Sequence, residues 1–148
     1  MKETLELAAA LCREFEGLHR VGKDGLVHAY LCPAGYPTLG YGEVVKSLSV
    51  PPITKAEAEA RLLVLLPQYV VHTLKACPNL VKYPRRLAAI SDFTYNLGAA
   101  RLNGSTLRKR ILAEDWDGVK IELMKWVRGG GRVLSGLVKR RQAECKLI

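Results

Sequence analysis

The sequence predicts an α+β, mainly helical fold in which a small β-hairpin lobe and a larger helical lobe have a cleft between them. The chain has 148 residues, 49% of them hydrophobic, which suffices for one core and argues against disorder or two full domains. Residues 20–52 are rich in glycine and proline with short β-prone segments, whereas most of the remaining chain has helical patterning. No run approaches the ~18 apolar residues of a membrane-spanning helix.

The first predicted helix begins close to the amino terminus and carries one apolar stripe. At about 100° per residue, Leu5, Ala8 and Cys12 lie on that stripe. Gly17 is a suitable end for the helix, because glycine readily adopts the backbone conformation that terminates helices. The segment that follows, residues 20–52, is predicted to form a small hairpin region.

A second helix is predicted to open at Thr54, because Thr54 and Glu57 form a capping-box pattern. Pro67 is expected to kink or end this helix, since proline cannot donate a helical hydrogen bond. Further helices are expected at residues 84–98, 104–113, 115–127 and 135–146, the last two separated by three glycines. The chain is interpreted as a single domain, residues 1–148, with a small β-containing lobe at about 17–52 and a helical lobe at about 53–148 plus the N-terminal helix.

The positive charge is concentrated in the last third of the chain. Lys and Arg number 23 against 14 Asp and Glu, a formal net charge of +9, and residues 101–148 hold 12 of the basic and 5 of the acidic side chains. Such a surface attracts polyanions, including nucleic acid, anionic lipid and anionic cell-wall polymer. The charge alone does not distinguish these three classes of partner. Lys139, Arg140 and Arg141 are interpreted as a solvated helix face.

The four cysteines, at positions 12, 32, 77 and 145, have no spacing typical of zinc sites. We expect neither a metal nor a cofactor, and a reducing compartment would keep the cysteines as thiols. A disulfide between Cys12 and Cys32 is conceivable only under oxidising conditions. The first residues show no signal-peptide pattern, so we expect the protein to start in the cytoplasm of the cell that makes it.

Glu16 is the most informative single residue. It lies about 20° from Leu5 around the first helix, in the middle of the apolar stripe. A carboxylate held toward the buried side is favoured in its protonated form, which is what a general acid needs. The alternative is a helix-end glutamate that turns outward past Gly17 or pairs with Arg20.

The second informative feature is the run at residues 29–42. A turn within it would bring Cys32 and Thr38 to its two sides, and Gly40 and Gly42 permit close backbone approach. The alternative is an ordinary tight hairpin with a small buried cysteine.

Together these segments resemble a known family. Residues 16–18, 30–35 and 38–42 read Glu-Gly-Leu, Tyr-Leu-Cys-Pro-Ala-Gly and Thr-Leu-Gly-Tyr-Gly, which resembles the Glu, Asp-or-Cys, Thr signature of the phage-type lysozymes, the endolysins related to the T-even phage lysozyme. Residues 93–98, 103–107 and 130–141 resemble the helical lobe of that family in order and spacing. The resemblance covers nearly the whole chain and implies a lysozyme-like fold.

The resemblance also implies catalytic roles. Glu16 stands at the position of the general acid that protonates the glycosidic oxygen, Cys32 stands where many members have Asp, and Thr38 stands at the threonine beside the attacking water. Members of this type are inverting, which implies a water between the sugar and the protein. A thiol of pKa ~8.5 is a poor base at neutral pH unless its surroundings lower that value. Three roles therefore stay open for Cys32: base, nucleophile or water-positioning group.

Two other departures from the family pattern concern the small lobe. A polar excursion at residues 19–25 lengthens the spacing between the first two catalytic positions and could extend the hairpin or touch substrate. Glu43 stands where many relatives carry His and is interpreted as solvated or salt-bridged, with a second cleft carboxylate as the alternative. His28 and His72 have no acidic partner at informative spacing and are assigned to the surface or to packing.

Substrate contacts are expected in the helical lobe. Tyr95 and Asn96 resemble cleft-lining residues of the family, and Thr106 resembles a hydroxyl contact further along the sugar chain. For each of these three, helix packing or capping is the alternative. Trp116 and Trp126 are interpreted as core residues rather than sugar-stacking platforms.

The function implied is that of an endolysin muramidase, which hydrolyses the β-1,4 bond between N-acetylmuramic acid and N-acetylglucosamine in bacterial peptidoglycan during host cell lysis. We expect a monomer with no nucleic-acid partner and no stable membrane insertion, held in the host bacterial cytoplasm until a holin gives it access to the periplasm and cell wall. The alternatives are a basic nucleic-acid-binding protein and a lysozyme-like protein that binds peptidoglycan without cutting it. No helix-turn-helix or aromatic-basic stacking pattern supports the former.

Overall fold

The computed structural model describes residues 1–32 and 34–148. Its elements, in chain order, are α1 (Lys2–Glu16), β1 (Tyr30–Leu31), β2 (Pro37–Leu39), β3 (Glu43–Val44), α2 (Lys55–Ala76), a 3-10 helix (Pro78–Lys82), α3 (Pro84–Leu97), α4 (Ala99–Asn103), α5 (Thr106–Leu112), α6 (Trp116–Leu123), β4 (Arg128–Gly129), β5 (Arg132–Val133) and α7 (Ser135–Cys145). This content confirms the predicted α+β, mainly helical class. Among the described residues, no helix combines the length and the apolar character needed to cross a membrane.

The chain divides into two compact units, which we call the hairpin unit and the helical unit. The hairpin unit is Cys12–Leu65, and the helical unit is Met1–Leu11 together with Leu66–Ile148. The hairpin unit contains a three-stranded antiparallel sheet in the order β1-β2-β3. Thr38, in the central strand, pairs with Tyr30 on one side.

The hairpin unit has an apolar cluster of its own. Val27, Ala29 and Leu39 pack with Ile53 and Ala58, and each of the five is at most 6% exposed. The capping box at the start of α2 forms as the sequence predicts, since the Glu57 carboxylate accepts hydrogen bonds from the Thr54 N–H at 2.7 Å and from its hydroxyl at 2.9 Å.

The polar excursion at residues 19–25 folds back on the sheet region. Val27 forms β-bridges to Val21 and to Ile53, so the excursion is a small hairpin of its own. Its loop places Asp24 Oδ2 2.9 Å from His28 Nε2. The prediction that His28 lacks an acidic partner is therefore wrong, because a tight loop brings residues four apart together without a helix.

The helical unit is built around Phe93, whose ring is fully buried and meets Trp126 edge-on with the centroids 5.4 Å apart. Trp116 and Trp126 both pack against the core, as predicted. The buried members of this core are Val70, Ala76, Cys77, Leu80, Leu87, Ile90, Phe93, Leu102, Leu107, Ile111, Val119 and Leu123.

Helix α2 passes through Pro67 and ends only at Ala76, so the prediction that Pro67 could end it is wrong. Proline at this position removes one hydrogen bond to the carbonyl four residues earlier. That carbonyl belongs to Leu63, a residue that is 49% exposed.

The three glycines at 129–131 belong to a short antiparallel hairpin, β4–β5, in which Gly129 ends β4 and Gly130 and Gly131 form the turn. Gly130 and Gly131 have φ values of 57° and 78°, which glycine adopts at little cost and which suit a two-residue turn between strands.

The interpretation of residues 139–141 as a solvated helix face is also wrong. Lys139 is exposed, but Arg140 and Arg141 are 2% and 0% exposed. Arg140 donates to both oxygens of Asp92 at 2.8 and 2.7 Å, and Arg141 lies 2.8 Å from the Glu144 carboxylate. Acidic partners on α3 and on α7 itself permit this burial, because a buried charge is tolerated when it is paired.

Candidate active site

Glu16 is the last residue of α1, and its side chain is half-buried. Gly17 follows with a φ of 62°, which ends the helix as predicted. The Glu16 carboxylate lies against the backbone of Gly42, where an added Cβ would sit 3.2 Å from Oε2. Gly42 has a φ of 93°, which side-chain-bearing residues rarely adopt. The end of the helix and the hairpin therefore meet at this carboxylate.

Tyr30 interacts with the same carboxylate. Burial raises the pKa of Tyr30, and the charges of Glu16 and Cys32 raise it further, so the three groups are electrostatically linked. The half-buried Tyr30 ring packs edge-on against His19, with centroids 5.5 Å apart. The sequence interpretation gave Tyr30 no role, although its position two residues before Cys32 places both on one face of an extended segment.

Cys32 follows β1 and is partly exposed. Its N–H donates to the Tyr36 carbonyl at 3.0 Å, and its carbonyl accepts from the Gly35 N–H at 2.8 Å. The backbone N–H of Tyr36 is the largest influence on the thiol and lowers its pKa, against a smaller opposite effect of burial. The backbone N–H groups of Ala34 and Gly35 and the hydroxyl of Thr38 lower the pKa further.

Thr38 lies across the turn on β2 and is only 2% exposed. Its hydroxyl lies 2.9 Å from the Tyr36 carbonyl, to which it donates, and within hydrogen-bonding reach of the Cys32 thiol. The expected placement of Cys32 and Thr38 on the two sides of one turn is thus observed. Pro33, which the sequence places in the same turn, lies outside the described residues.

Ion pairs join the elements of the hairpin unit. Glu43 Oε2 lies 3.2 Å from Arg61 Nη1 on α2, so the salt-bridged interpretation of Glu43 is confirmed. Arg13 on α1 pairs with Glu59 on α2, and this pairing lowers the pKa of Glu59. Both ion pairs involve residues of α2, so α2 holds the end of α1 and the β-hairpin in place.

The three proposed substrate contacts lie in the helical unit. The ring of Tyr95 packs on Tyr69 with centroids 4.7 Å apart, and Asn96 Oδ1 accepts a hydrogen bond from Arg141 at 3.0 Å. Thr106 is the first residue of α5 and is exposed. The structure therefore gathers Glu16, Cys32 and Thr38 in one unit and the substrate-contact candidates in the other.

The three other cysteines lie outside the turn that carries Cys32. No disulfide joins the four cysteines, and Cys12 and Cys77 are buried. Burial raises the pKa of Cys77 to about 11. Within residues 1–32 and 34–148, no group of His, Cys, Asp or Glu side chains is arranged to hold a metal ion. The chemistry available in the hairpin unit is therefore that of a carboxyl group, a thiol whose pKa is lowered by hydrogen bonds and a buried hydroxyl.

Comparison with known proteins gives consistent matches. The family model described as phage lysozyme matches residues 13–144. The endolysin of Acyrthosiphon pisum secondary endosymbiont phage 1 is 33% identical over 150 residues, which cover 97% of this chain and 95% of that protein. The SAR-endolysin of Bacteriophage PS119 is 32% identical over 129 residues, covering 83% of this chain and 76% of that protein.

A solved structure has the same fold. The endolysin from Escherichia coli O157:H7 phage FAHEc1 superposes with a TM-score of 0.73 at 27% identity, covering 95% of this chain and 89% of the other.

Proposed function

The chain belongs to the phage lysozyme family and is a glycosidase, and we propose that it hydrolyses the β-1,4 bond between N-acetylmuramic acid and N-acetylglucosamine in bacterial peptidoglycan. The observation that carries this proposal is the Glu16 carboxylate packed against Gly42, with Tyr30 subject to the charges of both Glu16 and Cys32. Family membership favours an enzyme over a nucleic-acid-binding protein or a non-cutting peptidoglycan binder.

Glu16, protonated, gives its proton to the glycosidic oxygen as the bond from that oxygen to C1 of the sugar breaks. A water attacks C1 from the opposite face, and the Cys32 thiolate takes the proton that this water loses. In this step the Thr38 hydroxyl turns from the Tyr36 carbonyl and donates its one proton to the Cys32 sulfur, while its oxygen accepts a hydrogen bond from the attacking water. One attack by water leaves the product with inverted configuration at C1.

The biological role we infer is lysis of the bacterial host by a phage endolysin. The enzyme acts as a monomer without cofactor, stays in the host cytoplasm until a holin opens the membrane, and then reaches the periplasm and cell wall. The similarity to proteins named endolysin and SAR-endolysin supports the lytic role.

Replacing Glu16 with Gln should lower the rate of turbidity loss of permeabilised Gram-negative cells by roughly 10²–10⁴-fold, because the amide cannot donate the catalytic proton. Glu14→Gln is the matched control, since Glu14 is exposed on the same helix. Near-normal lysis by the Glu16→Gln variant would reject the mechanism. NMR of the first product should show the inverted anomer, and retention would assign Cys32 a covalent role instead.

A further inference from the structure

A cavity in the helical unit is lined by residues that the mechanism above does not use. Its volume is about 400 Å³, which is in the range of small-molecule sites. The end of the 3-10 helix, the first turn of α3 and the segment after α7 line it. We call it the basic cavity, because half of its lining residues are basic, namely Lys82, Arg85, Arg86 and Lys146.

The basic cavity has more positive than negative charge. Within residues 1–32 and 34–148, no salt bridge joins its four basic side chains to an Asp or Glu carboxylate. The carboxylate of Glu114 accepts a hydrogen bond from the hydroxyl of the lining residue Tyr83 at 2.9 Å. Counting Glu114 and a terminal carboxylate at Ile148 against the four cations still leaves an excess of two positive charges. Such an excess attracts a small anion to the cavity.

Arg86 is the basic group that the structure holds most firmly. Its guanidinium lies over the ring of Trp116, 4.0 Å from the centroid, and over the ring of Tyr83 at 4.9 Å. Its Nε donates to the Ile148 carbonyl at 2.9 Å. The four N–H groups of its two terminal nitrogens have no protein acceptor in the described part of the chain. A fork that is held in this way loses little freedom when it binds an anion.

The other three basic residues of the cavity, Lys82, Arg85 and Lys146, are exposed and can adjust to a ligand. A phosphate group suits this arrangement better than a carboxylate, because it offers more acceptor oxygens and, as a monoester, nearly two negative charges. The guanidinium fork binds two phosphate oxygens at once. Pro84 and Leu147 add apolar surface, and the cavity is larger than a phosphate ion, so a short carbon chain attached to the phosphate has room.

We propose that the basic cavity binds a phosphate ester, either as a free compound or as the headgroup of an anionic lipid. Arg86 binds two phosphate oxygens, Arg85 and Lys146 pair with the remaining charge, and the carbon chain lies on Leu147. This site goes beyond the proposed function, because glycoside hydrolysis uses none of the residues that line the cavity.

The first test adds glycerol phosphate to isotope-labelled protein at low salt and follows the two indole N–H signals by NMR. The Trp116 signal should shift and saturate, because the Arg86 guanidinium lies on that ring. The Trp126 signal should stay in place, because its ring packs on Phe93 instead. A Trp116 signal that does not respond to the ester would contradict binding of the free compound.

Two double variants test whether the cavity is the site. Arg85→Gln with Lys146→Gln should weaken binding about tenfold or more, as expected for the loss of two charge-assisted contacts. Arg132→Gln with Lys139→Gln is the matched control, since it also removes one exposed arginine and one exposed lysine but neither lines the cavity. The control should keep the wild-type affinity. Equal weakening in the two double variants would show attraction by net charge alone and would overturn the site.

The second test identifies the source of the phosphate. The same proteins are sedimented with phosphatidylcholine vesicles that contain or lack phosphatidylglycerol. Binding to the phosphatidylglycerol vesicles that only the cavity variant loses would support the site with a lipid headgroup as its ligand. Binding of glycerol phosphate without vesicle binding would support the site with a free phosphate ester as its ligand. Binding in neither assay would overturn the proposal, and neither readout depends on glycosidase activity.

Discussion

At Cys32, hydrogen bonds lower the pKa of the thiol by more than burial raises it. The sulfur is partly exposed and faces backbone N–H groups of its own turn, so the ionised form gains partners while losing little hydration. Cys77 shows the opposite balance, since it is buried and its pKa is raised to about 11. The pKa of the same side chain is thus lowered at one position and raised at the other, because its surroundings differ.

Alkylation with iodoacetamide should report the ionisation of Cys32 directly, because only the thiolate reacts. The midpoint of the rate against pH should lie below that of an ordinary thiol, and lysis should be lost as Cys32 is modified. Thr38→Val should raise the midpoint, since it removes one hydrogen bond to the sulfur.

Cys145 provides the internal comparison, because burial raises its pKa and it should react more slowly. Mass spectrometry of the modified peptides distinguishes the two sites. Cys32→Asp should be active and resistant to the reagent, while Cys32→Ala should be inactive. Equal reaction rates at Cys32 and Cys145 would contradict the assignment of Cys32 as an activated thiol.

At the scale of elements, the site depends on how closely the hairpin approaches the end of α1. Gly42 lies in the turn between β2 and β3, and a Cβ added there would sit 3.2 Å from Glu16 Oε2, so the carboxylate would have to shift. Tyr30 on β1 and Glu43 on β3 are fixed by strand pairing and by the ion pair to α2. The short sheet therefore positions the Glu16 carboxylate through three features that act together: strand pairing, the ion pair of Glu43 and the close packing at Gly42.

Gly42→Ala should lower both stability and lysis. The left-handed backbone costs a side-chain-bearing residue roughly 1–2 kcal/mol, and the new methyl group displaces the Glu16 carboxylate. Gly25→Ala is the matched control, because Gly25 has a φ of 76° but no atom within 4 Å of the added carbon. Both variants should lose similar stability by thermal melting, and Gly42→Ala alone should lose lysis by tenfold or more.

At the scale of the whole molecule, burial changes the number of charged groups on the surface but not the formal net charge of +9. Arg140 and Arg141 are buried and paired with Asp92 and Glu144, so two basic and two acidic residues do not face solvent. The attraction to an anionic wall therefore depends on exposed residues such as Lys139 and Arg132.

The buried cluster predicts how stability depends on pH. Burial raises the pKa of Glu144 well above its ordinary value, in spite of the nearby Arg141 and Arg140 and with Asp92 acting in the same direction. The folded protein then binds a proton that the unfolded chain releases above about pH 4.5, so the unfolding free energy falls as pH rises through the interval above that value.

Glu144→Gln should remove this dependence. Its unfolding free energy relative to the wild type should increase with pH above about 4.5, by at most about 1.4 kcal/mol per pH unit for one proton. Glu6→Gln, at an exposed position on α1, should leave the slope unchanged. Denaturant unfolding at several pH values measures both, and identical slopes for Glu144→Gln and the wild type would contradict a raised pKa of Glu144.

The sequence by itself determined the fold class, the end of α1 at Glu16 and the turn between Cys32 and Thr38. These features depend on local periodicity, on glycine positions and on a signature that is contiguous within each segment. The capping box of Thr54 and Glu57 was predictable for the same reason.

Only the tertiary structure decided the burial of Arg140 and Arg141, the partner of His28, the interaction of Tyr30 with Glu16 and the continuation of α2 through Pro67. The Arg140–Asp92 pair joins residues 48 positions apart, and no helical or strand period carries that information. The ionisation of Cys32 was decided in the same way, because a thiol is tuned by the number of N–H groups that a folded turn points at it.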